Sequence, residues 1–130
     1  MNSHIHACIA YIVCRLISGR KIASLYDCSE SRIINIAGLP DAKGLSEFDE
    51  KHRDYVPGYA SGCMYEYSFK NGHSIEVFIT ESTFVVHVNG SSAYFIGNVL
   101  EDKIYIYDHR ASAHFYYRID ECAVEQGKTV

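Results

Sequence analysis

The chain has 130 residues, 48% apolar and 22% charged, with two prolines and nine glycines. This excludes disordered, collagen-like and proline-rich architectures and fits one domain with a sizeable core. The net charge of −4 is uneven: residues 1–26 carry +3 and residues 27–130 carry −7. A negative body argues against nucleic acid as the main partner, since phosphate binding needs clustered cations, and suits a basic protein partner.

The five cysteines (Cys8, Cys14, Cys28, Cys63, Cys122) are odd in number and form no CxxC. Reduced thiols and a cytoplasmic setting are expected. The apolar run 7–14 ends at Arg15, far short of a membrane span. Its basic residues follow rather than precede it, the reverse of a secretion signal. No membrane association is expected.

In chain order, residues 1–26 are read as a helical segment. Ile5, Cys8, Ile9, Ile12 and Leu16 recur with helical spacing, Asn2 or Ser3 can cap the start, and Ser18-Gly19 offers a break. His6, Arg15 and Lys21 fall on the opposite face. Residues 24–31 read as turn-rich and 32–37 as a short strand closed by Gly38-Leu39-Pro40. Ser46 resembles an N-cap with Asp49 three residues on, which predicts a short helix from 46 to about 55, followed by loop at 56–62.

From residue 63 the period becomes two. Segments 63–69, 74–80, 83–88, 93–99, 103–108 and 113–119 read as strands. Asn71-Gly72 and Asn89-Gly90 suit hairpin turns, and Glu101-Asp102 and 109–112 suit polar tips. Connections this short make the strands an antiparallel meander. Residues 120–130 read as a frayed tail. The fold expected is a single α+β domain: an N-terminal helix on a six- or seven-stranded, mostly antiparallel sheet, with curling toward a half-barrel left open.

Alternation divides the sheet into two faces. One holds Tyr65, Tyr67, Phe69, Ile75, Val77, Ile79, Phe84, Val86, Val88, Ile104, Ile106, Phe115, Tyr117 and Ile119, and is expected to be the core. The other holds Glu66, Ser68, Glu76, Phe78, Thr80, Val85, His87, Tyr105, Tyr107, His114, Tyr116 and Arg118. Tyrosine offers large contact area at low rotamer cost, so this second face is the candidate binding surface. Its expected contact residues are Tyr105, Tyr107, Tyr116, Glu66 and Glu76, flanked by His114 and Arg118. The competing reading has the 46–55 helix covering these rings.

His4-x-His6-x-Cys8 diverges on a helix and lacks further ligand spacing, so neither a metal nor another cofactor is expected. His109 and His114, with Asp108 adjacent and His87 on a nearby strand, could support acid–base chemistry or ligand binding. No nucleophile elbow, phosphate loop or dinucleotide fingerprint is present. The profile therefore points to a non-enzymatic, protein-binding module. Its sharpest form is an immunity-type inhibitor that masks the active site of a basic toxin or nuclease domain. Homo-oligomerisation through the sheet edge or the aromatic face, and a ligand-binding or hydrolytic protein using the three strand-end histidines, are the alternatives.

Overall fold

The computed structural model describes residues 3–52, 61–70, 72–92 and 94–119, the side chains of Ser3 and His4 excepted. Helix α1 spans Ser3–Ser18, shorter than the 1–26 segment expected. It is apolar nearly all round, and every residue from Ile5 to Leu16 is buried. That is the signature of a helix enclosed by other elements rather than one lying on a surface. Its end has a local cause. The Ser18 hydroxyl donates to the Cys14 carbonyl and accepts from the Arg20 amide. Gly19 then takes φ +73°, and its amide bonds the Arg15 carbonyl. A left-handed residue of this kind stops a helix, and glycine adopts it without steric cost.

Two strands follow, β1 (Ser24–Asp27) and β2 (Arg32–Asn35), joined as a hairpin. The segment read as turn is therefore partly strand. It is extended because β1 pairs with the last strand of the meander, with Tyr26 opposite Arg118. The extended segment also stops at Asn35, where a 3-10 turn covers Ile36–Gly38.

Helix α2 runs Ala42–Lys51 with Asp41 as its N-cap residue, so Ser46 lies inside the helix rather than at its cap. The Asp41 side chain does not cap it. Its Oδ1 accepts instead from the Lys70 amide at 2.6 Å, tying the helix start to the neighbouring hairpin. Leu45, Phe48 and Asp49 form the buried i, i+3, i+4 face. The expected continuation to 55, the 56–60 part of the loop, Asn71 of the first hairpin turn, Ala93, Cys122 and the 120–130 tail lie outside the described residues.

The remaining strands are β3 (Met64–Ser68), β4 (Ser74–Thr80), β5 (Thr83–Val88), β6 (Tyr94–Leu100), β7 (Lys103–Asp108) and β8 (Ala113–Ile119). All eight strands form one antiparallel sheet in the order β2-β1-β8-β7-β6-β5-β4-β3. The sheet is open: β2 and β3 are its two ends, and no barrel closes.

The expected core face is the core. Ile75, Val77, Ile79, Phe84, Val86, Ile104, Ile106, Tyr117 and Ile119 are buried in one core with α1, together with Leu25, Phe95 and Val99; Phe115 is half-buried beside them. Gly97 shares this face. A Cβ there would lie 2.7 Å from Phe84 Cζ and 1.8 Å from the Tyr105 carbonyl oxygen, so only glycine lets the strands close over the Phe84 ring. Helix α2 lies on the same side, with Phe48 edge-on to Tyr67 at 5.9 Å. It does not cover the second face. Among the described residues no helix is long and apolar enough to cross a membrane.

Candidate functional site

Two polar clusters lie in the interior, and each contains a residue assigned to the helix face opposite the apolar one. His6 is buried. Its Nε2 meets Asp108 Oδ2 at 2.9 Å, and its ring stacks on Phe115 at 3.9 Å. Arg15 is buried too. Its Nε donates to Asp49 Oδ1 at 2.9 Å, its Nη2 to the His52 carbonyl at 3.2 Å, and its Nη1 to the Gly19 carbonyl at 3.1 Å. The Tyr11 hydroxyl donates to the other oxygen of Asp49. These groups are paired with one another across α1, α2 and β7, and they pin the helices to the sheet. Burial, first of all, raises the Tyr11 hydroxyl well above the ordinary phenol range, with Asp49 adding to it. A cleft of about 390 Å³ between α2 and the 3-10 turn reaches the edge of the second cluster, with Lys21 and Lys43 at its rim.

The inward turn of Asp108 dissolves the acid–base grouping expected at the hairpin tip. Asp108 Oδ1 accepts from the Ala111 amide and Oδ2 meets His6, so this carboxylate serves neither His109 nor His114. Among the described residues no group of three or more His, Cys, Asp or Glu side chains is gathered as metal ligands.

The second face is different. No described element covers it, and large apolar side chains stand exposed on it. Met64, Phe78, Val85 and Ile96 are 47%, 41%, 36% and 41% exposed. They lie directly opposite one another across β3, β4, β5 and β6, and the row continues through Tyr107 and His114 on β7 and β8. Single exposed apolar residues are ordinary, but a contiguous row of them is not.

Beside this row the rings form a connected series. Phe78 packs edge-on to His87 at 6.1 Å, and His87 and His109 stack on Tyr94 at 5.8 and 4.5 Å. Tyr107 is 6.1 Å from His109 and 4.7 Å from His114. The Tyr105 hydroxyl bonds His114 Nδ1, and its ring meets Tyr116 edge-on at 4.9 Å. His87, His109 and His114 thus share one surface as parts of an aromatic series.

The expected contact residues divide into two groups. Tyr105, Tyr107, His114, Tyr116 and Arg118 are brought together on β7 and β8. Glu66 and Glu76 face each other on β3 and β4, at the far end of the sheet. They mark the opposite pole of the surface rather than the edge of the tyrosine cluster. Arg118 lies over the Tyr26 ring at 4.8 Å and stands opposite Lys103. A cleft of about 450 Å³ opens here between Asn98, Leu100, Lys103, Tyr105, Tyr116 and Arg118. Sequence reasoning missed Met64, Tyr94, Ile96 and Lys103. Strand parity, applied to 63–69, 93–99 and 103–108 as it was to their neighbours, would have placed all four on this face. No family model, curated protein or solved structure matches the chain.

Proposed function

We propose that this protein is a binding module without catalytic activity, and that the uncovered sheet face docks a protein partner. One observation carries the reading. Four exposed apolar side chains stand in one row across four strands, continued by tyrosine and histidine rings, on a face that no described element covers. An apolar centre with an aromatic and charged surround matches the anatomy of protein interfaces. In its sharpest form the module is an immunity-type inhibitor that masks the active site of a toxin or nuclease domain. The negative charge of residues 27–130 supports a basic partner by steering its approach.

Site-specific photocrosslinking in the native cell tests this. A photoreactive residue at Ile96 is expected to crosslink a heterologous protein. The same residue at Glu47, exposed on α2 in the other layer, is expected not to. Equal crosslinking from both positions, or none from Ile96, overturns the reading. An inhibitor further requires that one equivalent of the protein abolish the activity of the crosslinked partner.

A further inference from the structure

The uncovered face carries two like-charged pairs at opposite corners. Glu66 stands directly opposite Glu76 on β3–β4, and Lys103 directly opposite Arg118 on β7–β8. Like charges in direct cross-strand register are destabilising. Among the described residues the only ion pair made by these four side chains is the exposed Lys103–Asp102 contact at 3.9 Å. The fold therefore holds an acidic and a basic pair, each with like charges in register and each complementary to the other, although Lys103 also contacts Asp102 and Arg118 the Tyr26 ring.

Their placement is self-complementary. The pairs are four strand steps apart across the sheet, about 19 Å at the usual strand spacing, and six residues apart along the strands, about 20 Å. A two-fold axis lying in the plane of the face and bisecting this diagonal sets each acidic pair of one copy over the basic pair of the other. It runs perpendicular to the diagonal, through Ile96 and Thr83, so Ile96 meets its own symmetry mate near the centre while Val85 faces Asn98 of the other copy.

We infer that a second copy of this chain occupies the face: the protein forms an isologous two-fold dimer, Glu66 and Glu76 of each copy against Lys103 and Arg118 of the other, with Ile96 on the axis. This rests on the reading that the uncovered face is an interface. It adds that the chain sheathes its own apolar row, and that a heterologous partner must displace the second copy. Symmetry makes each contact count twice, as isologous dimers do.

Sedimentation velocity with charge-reversal variants tests it. The wild-type chain is expected to be a dimer with a micromolar or tighter dissociation constant. Glu66→Lys with Glu76→Lys, and separately Lys103→Glu with Arg118→Glu, should each weaken the dimer at least about 100-fold, because like pairs then oppose each other at both corners. The chain carrying all four reversals should dimerise with itself again, and an equimolar mixture of the two double variants should form a mixed dimer. All four positions are at the surface, and an unchanged far-UV spectrum shows that each variant is folded. A monomeric wild type at 100 micromolar, on the order of a hundred times the dissociation constant expected, overturns the inference. So does a dimer indifferent to the reversals. If heterologous crosslinking from Ile96 persists while the wild type is monomeric, self-association alone has failed and the partner reading stands.

Discussion

Arg15 and Asp49 lie 34 positions apart in sequence and meet at 2.9 Å in the interior. Removing one member of a buried pair leaves an uncompensated charge. Asp49→Ala is therefore expected to cost about 3–5 kcal/mol, whereas Arg15→Met with Asp49→Leu and Tyr11→Phe, which also removes the hydroxyl that Asp49 accepts from, should recover most of that loss. Urea unfolding of the three chains measures both effects. The thiols give a second residue-scale expectation. Cys8, Cys14, Cys28 and Cys63 are all free, the first two buried and the last two exposed. Burial, with a smaller contribution from Asp41, pushes the Cys8 thiol from 9.0 up to about 12, and burial also raises Cys14. In a Cys122→Ser background, a thiol reagent at neutral pH should label Cys28 and Cys63 at once, and Cys8 and Cys14 only on unfolding. The same shifts set an alkaline limit. Above about pH 9 the unfolded chain releases these protons while the folded chain keeps them, so stability falls with pH, and for Cys8 it continues to fall toward pH 12. Tyr11, Tyr67 and Tyr117, raised first of all by burial, act in the same direction. Melting curves from pH 8 to 11 check the sign: a rising melting temperature contradicts it.

Ile9 sits fully buried at the middle of α1. Ile9→Asp places a lone charge there and is expected to unfold the protein or remove several kcal/mol of stability, read by thermal melting. The helix was legible from its apolar spacing, and the six meander strands and their two faces from strict alternation between hairpin turns. What escaped the sequence has a physical cause in each case. Strand β1 is four residues long with Ser24 and Asp27 at its ends, and nothing local distinguishes it from a turn. Its extended form comes from pairing with β8, more than ninety positions away. The start of α2 was hidden because Asp41 spends its side chain on the Lys70 amide rather than on the helix. The burial of His6 and Arg15, set on the face opposite the apolar one, was not legible because their partners are 102 and 34 positions distant. A polar residue on an apolar helix reveals its burial only when the partner is known.

At the scale of the whole molecule the two faces of the sheet divide the work. One is filled by α1 and α2 and carries the stability. The other is left open by every described element and presents an apolar row between an acidic and a basic pole. Tyr105, Tyr107 and Tyr116 could be assigned to that face from parity alone. The separation of Glu66 and Glu76 from them could not, because strand order rather than alternation fixes that distance. The half-buried rings of Tyr105 and Tyr107 predict that Tyr105→Ala with Tyr107→Ala leaves a folded protein with partner binding weakened by about 2 kcal/mol or more, measured by calorimetry. The central claim is that the uncovered face is the interface, and Ile96→Glu tests it most directly. Ile96 is exposed, so the substitution should leave the melting temperature within a few degrees of wild type. Titration against the partner crosslinked from Ile96 should show affinity reduced at least about 30-fold, as expected for a charge buried at the centre of an apolar contact. A folded Ile96→Glu chain that binds that partner as tightly as wild type would contradict the account.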